Sequence, residues 1–136
     1  PELMKNISGW ISINGALHGS PLADAIVNKV GWALSRKMRE TLRNLTEERM
    51  EAFHREHSAE IAHILDVVPS LFVSSWINKE MPDVTESRFL RLSKWVRKKG
   101  HQWNDGIVPN ESAHLGCGND CVRISQSDHT HVLRDV

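Results

Sequence analysis

The order in which hydrophobic periodicity changes along this chain constrains its fold more than any single motif. Ile7 to Asn14, "ISGWISIN", alternates: Ile7, Gly9, Ile11 and Ile13 share one side, and Ser8, Trp10, Ser12 and Asn14 the other. A period of two carried by branched residues predicts a strand. It stops at Gly15, and the loop "GALHGSP" follows, punctuated by Gly19, Ser20 and Pro21. From Leu22 the period becomes four. Leu22, Ile26, Val30, Leu34, Met38 and Leu42, with Ala25 and Ala33 alongside, predict a helix to about Leu45. Thr46 is then a predicted N-cap, with Glu47 and Glu48 in the first turn, where the helix dipole favours negative charge. This second helix runs to about Leu65, with Met50, Phe53, His57, Ile61 and Ile64 on one face. The two helices are expected to form a helical hairpin.

Val67 to Trp76 holds a denser apolar run, "SLFVSSW", a second strand with Pro69 at its start. Asn78 to Glu86 reads as a polar loop. Ser87 caps a third helix to about Lys98, with Phe89, Leu92 and Val96 on one face and Gly100 ending it. Pro109 to Leu115 predicts a short helix, with Pro109 in its first turn, and Cys121 to Ser125 a third strand. Strand, helices, strand, helix, strand is the pattern of an α/β fold with a parallel sheet.

The chain has 136 residues, enough for one modest core. Lys plus Arg equals Asp plus Glu, at 17 each, so there is no global charge bias toward nucleic acid or acidic membranes. No apolar run approaches the roughly 20 residues of a membrane span. No secretory signal order is visible at the start, so a soluble chain is expected, with the cytoplasm favoured over secretion. Cys117 and Cys121 fit either a small disulfide loop or two free thiols, and free thiols are favoured.

Two loop residues stand out. Asp105 lies in "QWNDGIVP", on a turn that Asn104 and Gly106 make easy; alone, such an Asp bonds its own backbone. His129 lies in "SDHTHV", after the last predicted strand. In parallel α/β sheets, catalytic groups gather beyond the carboxyl ends of strands. An acid followed by a histidine, late in the chain, matches the order Ser…Asp…His of one class of triad.

These segments resemble the C-terminal half of lipase-type α/β hydrolases, of the bacterial triacylglycerol lipase and esterase kind. "ISGWISINGALHGSPLAD" resembles the strand after the nucleophile helix and the turn leading into a lid. "NDGIVPNESAHLG" resembles the catalytic-acid loop, and "SDHTHV" the catalytic-histidine loop. The resemblance implies a partial α/β-hydrolase fold of about three parallel strands with flanking helices. It implies Asp105 as triad acid and His129 as triad histidine, an ester or lipid substrate, no cofactor, and residues 22–66 as a helical lid or cap. Where some members carry a calcium-binding Asp just after the histidine, this chain has Thr130 and His131, so no metal is carried over.

One part of the pattern is missing. The sequence contains no Gly-x-Ser-x-Gly. Ser20 follows Gly19, but Pro21 and Leu22 come next, so Ser20 is read as a turn or cap residue. The resemblance places the earlier strands, the oxyanion loop and the serine elbow before Pro1. The chain is therefore expected to be a fragment of a longer hydrolase, to pair with the missing half of the fold or with another copy of itself, and to be inactive alone. The rival expectations are a non-catalytic hydrolase-like interaction module and a metal-binding protein using His54, His57, His129 and His131. The basic helix "SRFLRLSKWVRKK" is expected to be a solvated face rather than a nucleic-acid binder.

Overall fold

β1 (Trp10–Ile13), β2 (Ser70–Trp76) and β3 (Cys121–Ser125) pair in that order, all parallel. The computed structural model describes residues 6–77, 87–116, 121–125 and 127–131, with the side chains of Ser87 and Arg88 outside that set. The expected loop from Asn78 to Glu86 lies outside the described residues. The rest of the predicted order is present, and the architecture is an open parallel sheet with flanking helices.

The helical segments break more often than periodicity predicts. The stretch from Leu22 to Leu45 is two helices, α1 (Pro21–Val30) and α2 (Arg36–Arg43), with a 3-10 turn over Gly31–Ala33 between them. Leu34 leaves the helical region at ψ 149°, and Ser35 restarts it, its hydroxyl accepting from Met38 N at 3.3 Å. The next stretch is also two helices, α3 (Glu47–Glu56) and α4 (Ser58–Val67), parted at His57. Thr46 occupies the N-cap position of α3 without capping it; its hydroxyl donates backwards to Arg43 O instead. α5 spans Ser87–Lys98 as expected, and Gly100 follows it at φ 106°. The predicted helix after Pro109 is one 3-10 turn, Asn110–Ala113, with Pro109 just outside it.

Trp10 and Phe72 meet edge to face at 5.4 Å on one side of the sheet. Trp10 also helps line an apolar cavity of about 290 Å³ with Met50, Phe53, Ile61, Ile64 and Leu115. Thus the inner stripe of α3 and α4 covers this sheet face, on which Ser12 is buried. The opposite face carries Ile11 and Val122, 64% and 45% exposed. The isoleucines of β1 are therefore not its covered side. Trp32 and Trp103 are 83% and 60% exposed. Cys121 is disulfide-bonded, which corrects the preference for free thiols. Among the described residues, no helix is long and apolar enough to cross a membrane.

Candidate active site

The acid loop follows α5 in the chain and is pinned against the end of β2. Ile77, the residue after β2, donates its N–H to Asn104 O at 2.9 Å. Asn104 and Pro109 form an antiparallel bridge, and Asn110 N reaches Trp103 O at 2.8 Å, so the loop is pinched at its neck. Asn104 is fully buried. Its Oδ1 accepts from Gly106 N at 3.0 Å, and its Nδ2 donates to His101 O at 3.0 Å. Gly106 sits at φ 100°, and a Cβ built there would lie 3.0 Å from Phe89 O on α5. The Asn-Asp-Gly sequence therefore has a local cause: Asn closes the turn, and Gly takes the left-handed conformation against a neighbouring helix.

Asp105 is 1% exposed, and its two carboxylate oxygens divide the work. Oδ1 accepts from Ile107 N at 2.9 Å and Val108 N at 2.7 Å, the ordinary behaviour of a turn aspartate. Oδ2 lies 2.7 Å from His129 Nδ1. His129 N also donates to Asp105 O at 3.1 Å, so main chain and side chain both tie the two loops together. An ionised carboxylate only accepts, so His129 Nδ1 carries the proton. That tautomer leaves Nε2 as the basic ring nitrogen.

The His129 pKa is raised. The bond to Asp105 favours the imidazolium and outweighs burial, which opposes it; the charges of Asp105 and Asp128 add to the rise. The ring is about one-third exposed, whereas the carboxylate beneath it is sealed. A partly open imidazole, oriented by a buried carboxylate, can take up and return a proton at Nε2.

Other polar groups brace the loops and strand ends that carry this pair. Ser20 Oγ donates to Ile107 O at 2.7 Å and accepts from Leu22 N at 3.2 Å, so it caps α1 and braces the acid loop. Asn14, at φ 47°, bonds Ser75 twice at 2.8 Å, tying the carboxyl ends of β1 and β2. His131 Nδ1 reaches Asp128 Oδ2 at 2.8 Å, a second acid–histidine pair beside the first. Sequence reasoning overlooked Asp128, although Asp-x-Thr is the pattern of a side chain that closes its own turn.

The metal-binding alternative gains nothing from the geometry. His54 Nε2 is 2.6 Å from Leu17 O, His57 lies against the Phe53 ring at a tilt of 46°, and His129 and His131 each face a separate Asp. Among the described residues, no group of three or more His, Cys, Asp or Glu side chains is placed to hold a metal ion. On the basic helix, Arg97 turns inward, donating to Ile77 O at 3.3 Å.

No family model matches the sequence, and no curated protein matches it. Among solved structures, the Bacillus licheniformis lipase BlEst2 in its mature form superposes on 94% of this chain, with a TM-score of 0.64 and 16% identity. The fold is a partial α/β-hydrolase fold. At that identity the likeness is one of architecture alone. The chain spans about half of that lipase, the match covering 50% of its length. Asp105 lies in the loop after α5, held at the end of β2, and His129 in the turn after β3, and these two strands are neighbours in the sheet.

Proposed function

We propose that this chain supplies the acid and the histidine of a Ser-His-Asp triad in a carboxylic-ester hydrolase of the esterase or lipase kind. The basis is the 2.7 Å bond between His129 Nδ1 and buried Asp105. Asp105 holds the imidazole so that Nε2 faces the reaction and stabilises the imidazolium that forms. Nε2 takes the proton of a serine hydroxyl as its oxygen attacks the ester carbonyl, then gives that proton to the departing alkoxide. Water repeats the cycle and frees the acid.

The serine lies in polypeptide outside this sequence, and that polypeptide, the other half of the fold, is the partner of this chain. Two observations support this: no Gly-x-Ser-x-Gly occurs here, and the chain spans half of a lipase of similar fold. The substrate is an ester or lipid, and the helices over residues 22–66 form its cap. The apolar inner stripe of α3 and α4 supports that reading, as does the name of the lipase.

The test is to express the chain joined to the polypeptide encoded upstream of it. Hydrolysis of p-nitrophenyl esters and labelling by a fluorophosphonate are then measured. A serine outside residues 1–136 should be labelled, and His129→Gln should lower ester turnover by about 10⁶-fold. Full turnover in His129→Gln, or no labelled serine, would overturn the proposal.

A further inference from the structure

Asp128 precedes His129 and is the better buried of the two, at 0% exposure. A carboxylate taken out of water is costly unless donors surround it. Four do so here. Oδ1 accepts from Thr130 N, Thr130 Oγ1 and His131 N, each at 2.9 Å, and Oδ2 from His131 Nδ1 at 2.8 Å. Burial pushes this carboxyl up, but the bonds from His131 and Thr130 outweigh it and hold it below the ordinary carboxylate value. The donors are residues 130 and 131, so the carboxylate closes the turn that contains His129. His129 itself donates to neither oxygen of Asp128; its ring goes to Asp105.

We infer that Asp128 is the positioning residue for His129: its carboxylate, clasped by Thr130 and His131, fixes the turn that presents the imidazole to Asp105 and sets a second negative charge beside it. The inference rests on the reading of His129 as the general base. Asp128 acts only through His129. His131 is part of the clasp, because its Nδ1 is committed to Asp128. The two acid–histidine pairs thus have different duties, one aimed at the reaction and one at holding the first in place.

The geometry provides a clean dissection. In Asp128→Asn the amide oxygen can still accept the three bonds that Oδ1 takes, so the turn is kept. The amide NH₂ cannot accept from His131 Nδ1–H, and the charge is gone. Asp128→Ala removes turn and charge together. The experiment is a pH titration of this chain, ¹⁵N-labelled at histidine, followed by NMR for tautomer and titration midpoint. Asp128→Asn should keep the Nδ1–H tautomer of His129 and weaken its proton affinity about threefold, the scale of one nearby charge seen through partly aqueous surroundings. Asp128→Ala should also lose the Nδ1–H tautomer as the dominant form. His131→Gln breaks one clasp bond, leaves the turn, and serves as the readout should Asp128→Ala fail to fold; it should broaden or shift His129 without reversing its tautomer.

An unchanged His129 midpoint in Asp128→Asn, together with an unchanged tautomer in Asp128→Ala or an unmoved His129 in His131→Gln, would overturn the inference. Failure of the hydrolase proposal looks different. There the His129 signals would respond to Asp128 as described, while the longer polypeptide hydrolysed no ester.

Discussion

At the scale of single residues, Asp105 answers to two constraints at once. Any Asp in an Asn-Asp-Gly turn would give one oxygen to the following N–H groups, as Oδ1 does to Ile107 and Val108. What distinguishes Asp105 is that burial leaves Oδ2 one described side-chain partner, His129. Asp105→Asn keeps the turn acceptor but offers His129 an NH₂ group or a neutral oxygen. The expected outcome is a lowered His129 midpoint, a mixed tautomer, and in the longer polypeptide a loss of about 10⁴-fold in kcat/KM. A His129 titration unaltered by this change would show that the bond does not govern the ring. The pH sign follows from the raised His129 pKa. The stabilising contribution of this group is full below the unfolded imidazole value of about 6.5 and is lost as pH rises through the higher folded value. NMR should accordingly place its midpoint above 6.5, and a lower midpoint would contradict that sign. His18 shows the opposite: burial first, then the charge of His54, lower its pKa, against a hydrogen bond at the His114 backbone that raises it. Its contribution is lost as pH falls below about 6.5. The turn at Asp105 was legible in sequence because Asn-Asp-Gly chemistry is local, whereas the bond from Asp105 to His129 joins loops 24 residues apart, which only the family resemblance brought together. Asp128 was not legible, because an acid in a polar tail shows its burial only once β3 and the acid loop are packed.

At the scale of elements, α1 and α2 form an excursion closed at its base. Ser20 N donates to Leu45 O at 2.9 Å, and Glu47 N to Asp24 Oδ2 at 3.2 Å. Gly19 allows this closure. It sits at φ 89°, and a Cβ there would lie 2.6 Å from Glu47 Cα, a backbone atom that cannot swing away. Gly31, at the far end, is in the ordinary helical region at φ −57° and would meet nothing within 4 Å. The two glycines should therefore respond oppositely to alanine. Gly19→Ala should cost about 2 kcal/mol or more, from left-handed strain plus the clash. Gly31→Ala should be neutral or stabilise by about 0.5 kcal/mol through the unfolded chain. Urea denaturation of both variants checks this, and equal effects would mean that the base of the excursion is not tightly closed. The same contrast explains why one long helix was expected here. The four-residue repeat from Leu22 to Leu42 passes unbroken through Gly31, Leu34 and Ser35, so periodicity carries no sign of the reversal. The reversal goes with tertiary closure between Ser20 and Leu45, 25 residues apart in the sequence, which no local window contains.

At the scale of the whole molecule, strand order was legible and strand facing was not. Alternation of strand and helix specifies a parallel sheet, but a period of two defines two faces without saying which is covered. In β1 the serine side lies inward: Ser12 is 8% exposed and Ile11 64%. In register, Ile11 lies beside Leu71, and Val73 beside Val122, so these four residues share the uncovered-side face. That face is sealed at its centre, where Val73 is 3% exposed, and open at both margins, at Ile11 and Val122. β1 is also the outer strand of the described sheet. An edge strand whose face is apolar and uncovered favours association with another polypeptide. In isolation the chain should therefore self-associate as its concentration rises, and joining it to the other half of the fold should suppress this. Ile11→Lys should reduce the association without lowering the chain's own stability, because a side chain 64% exposed contributes little to its core. Sedimentation velocity over a concentration series reads the first effect, and urea denaturation the second. A chain that stays monomeric throughout, with β1 amides strongly protected from hydrogen exchange, would mean that β1 needs no further cover. The partial hydrolase fold would then be a stable unit by itself.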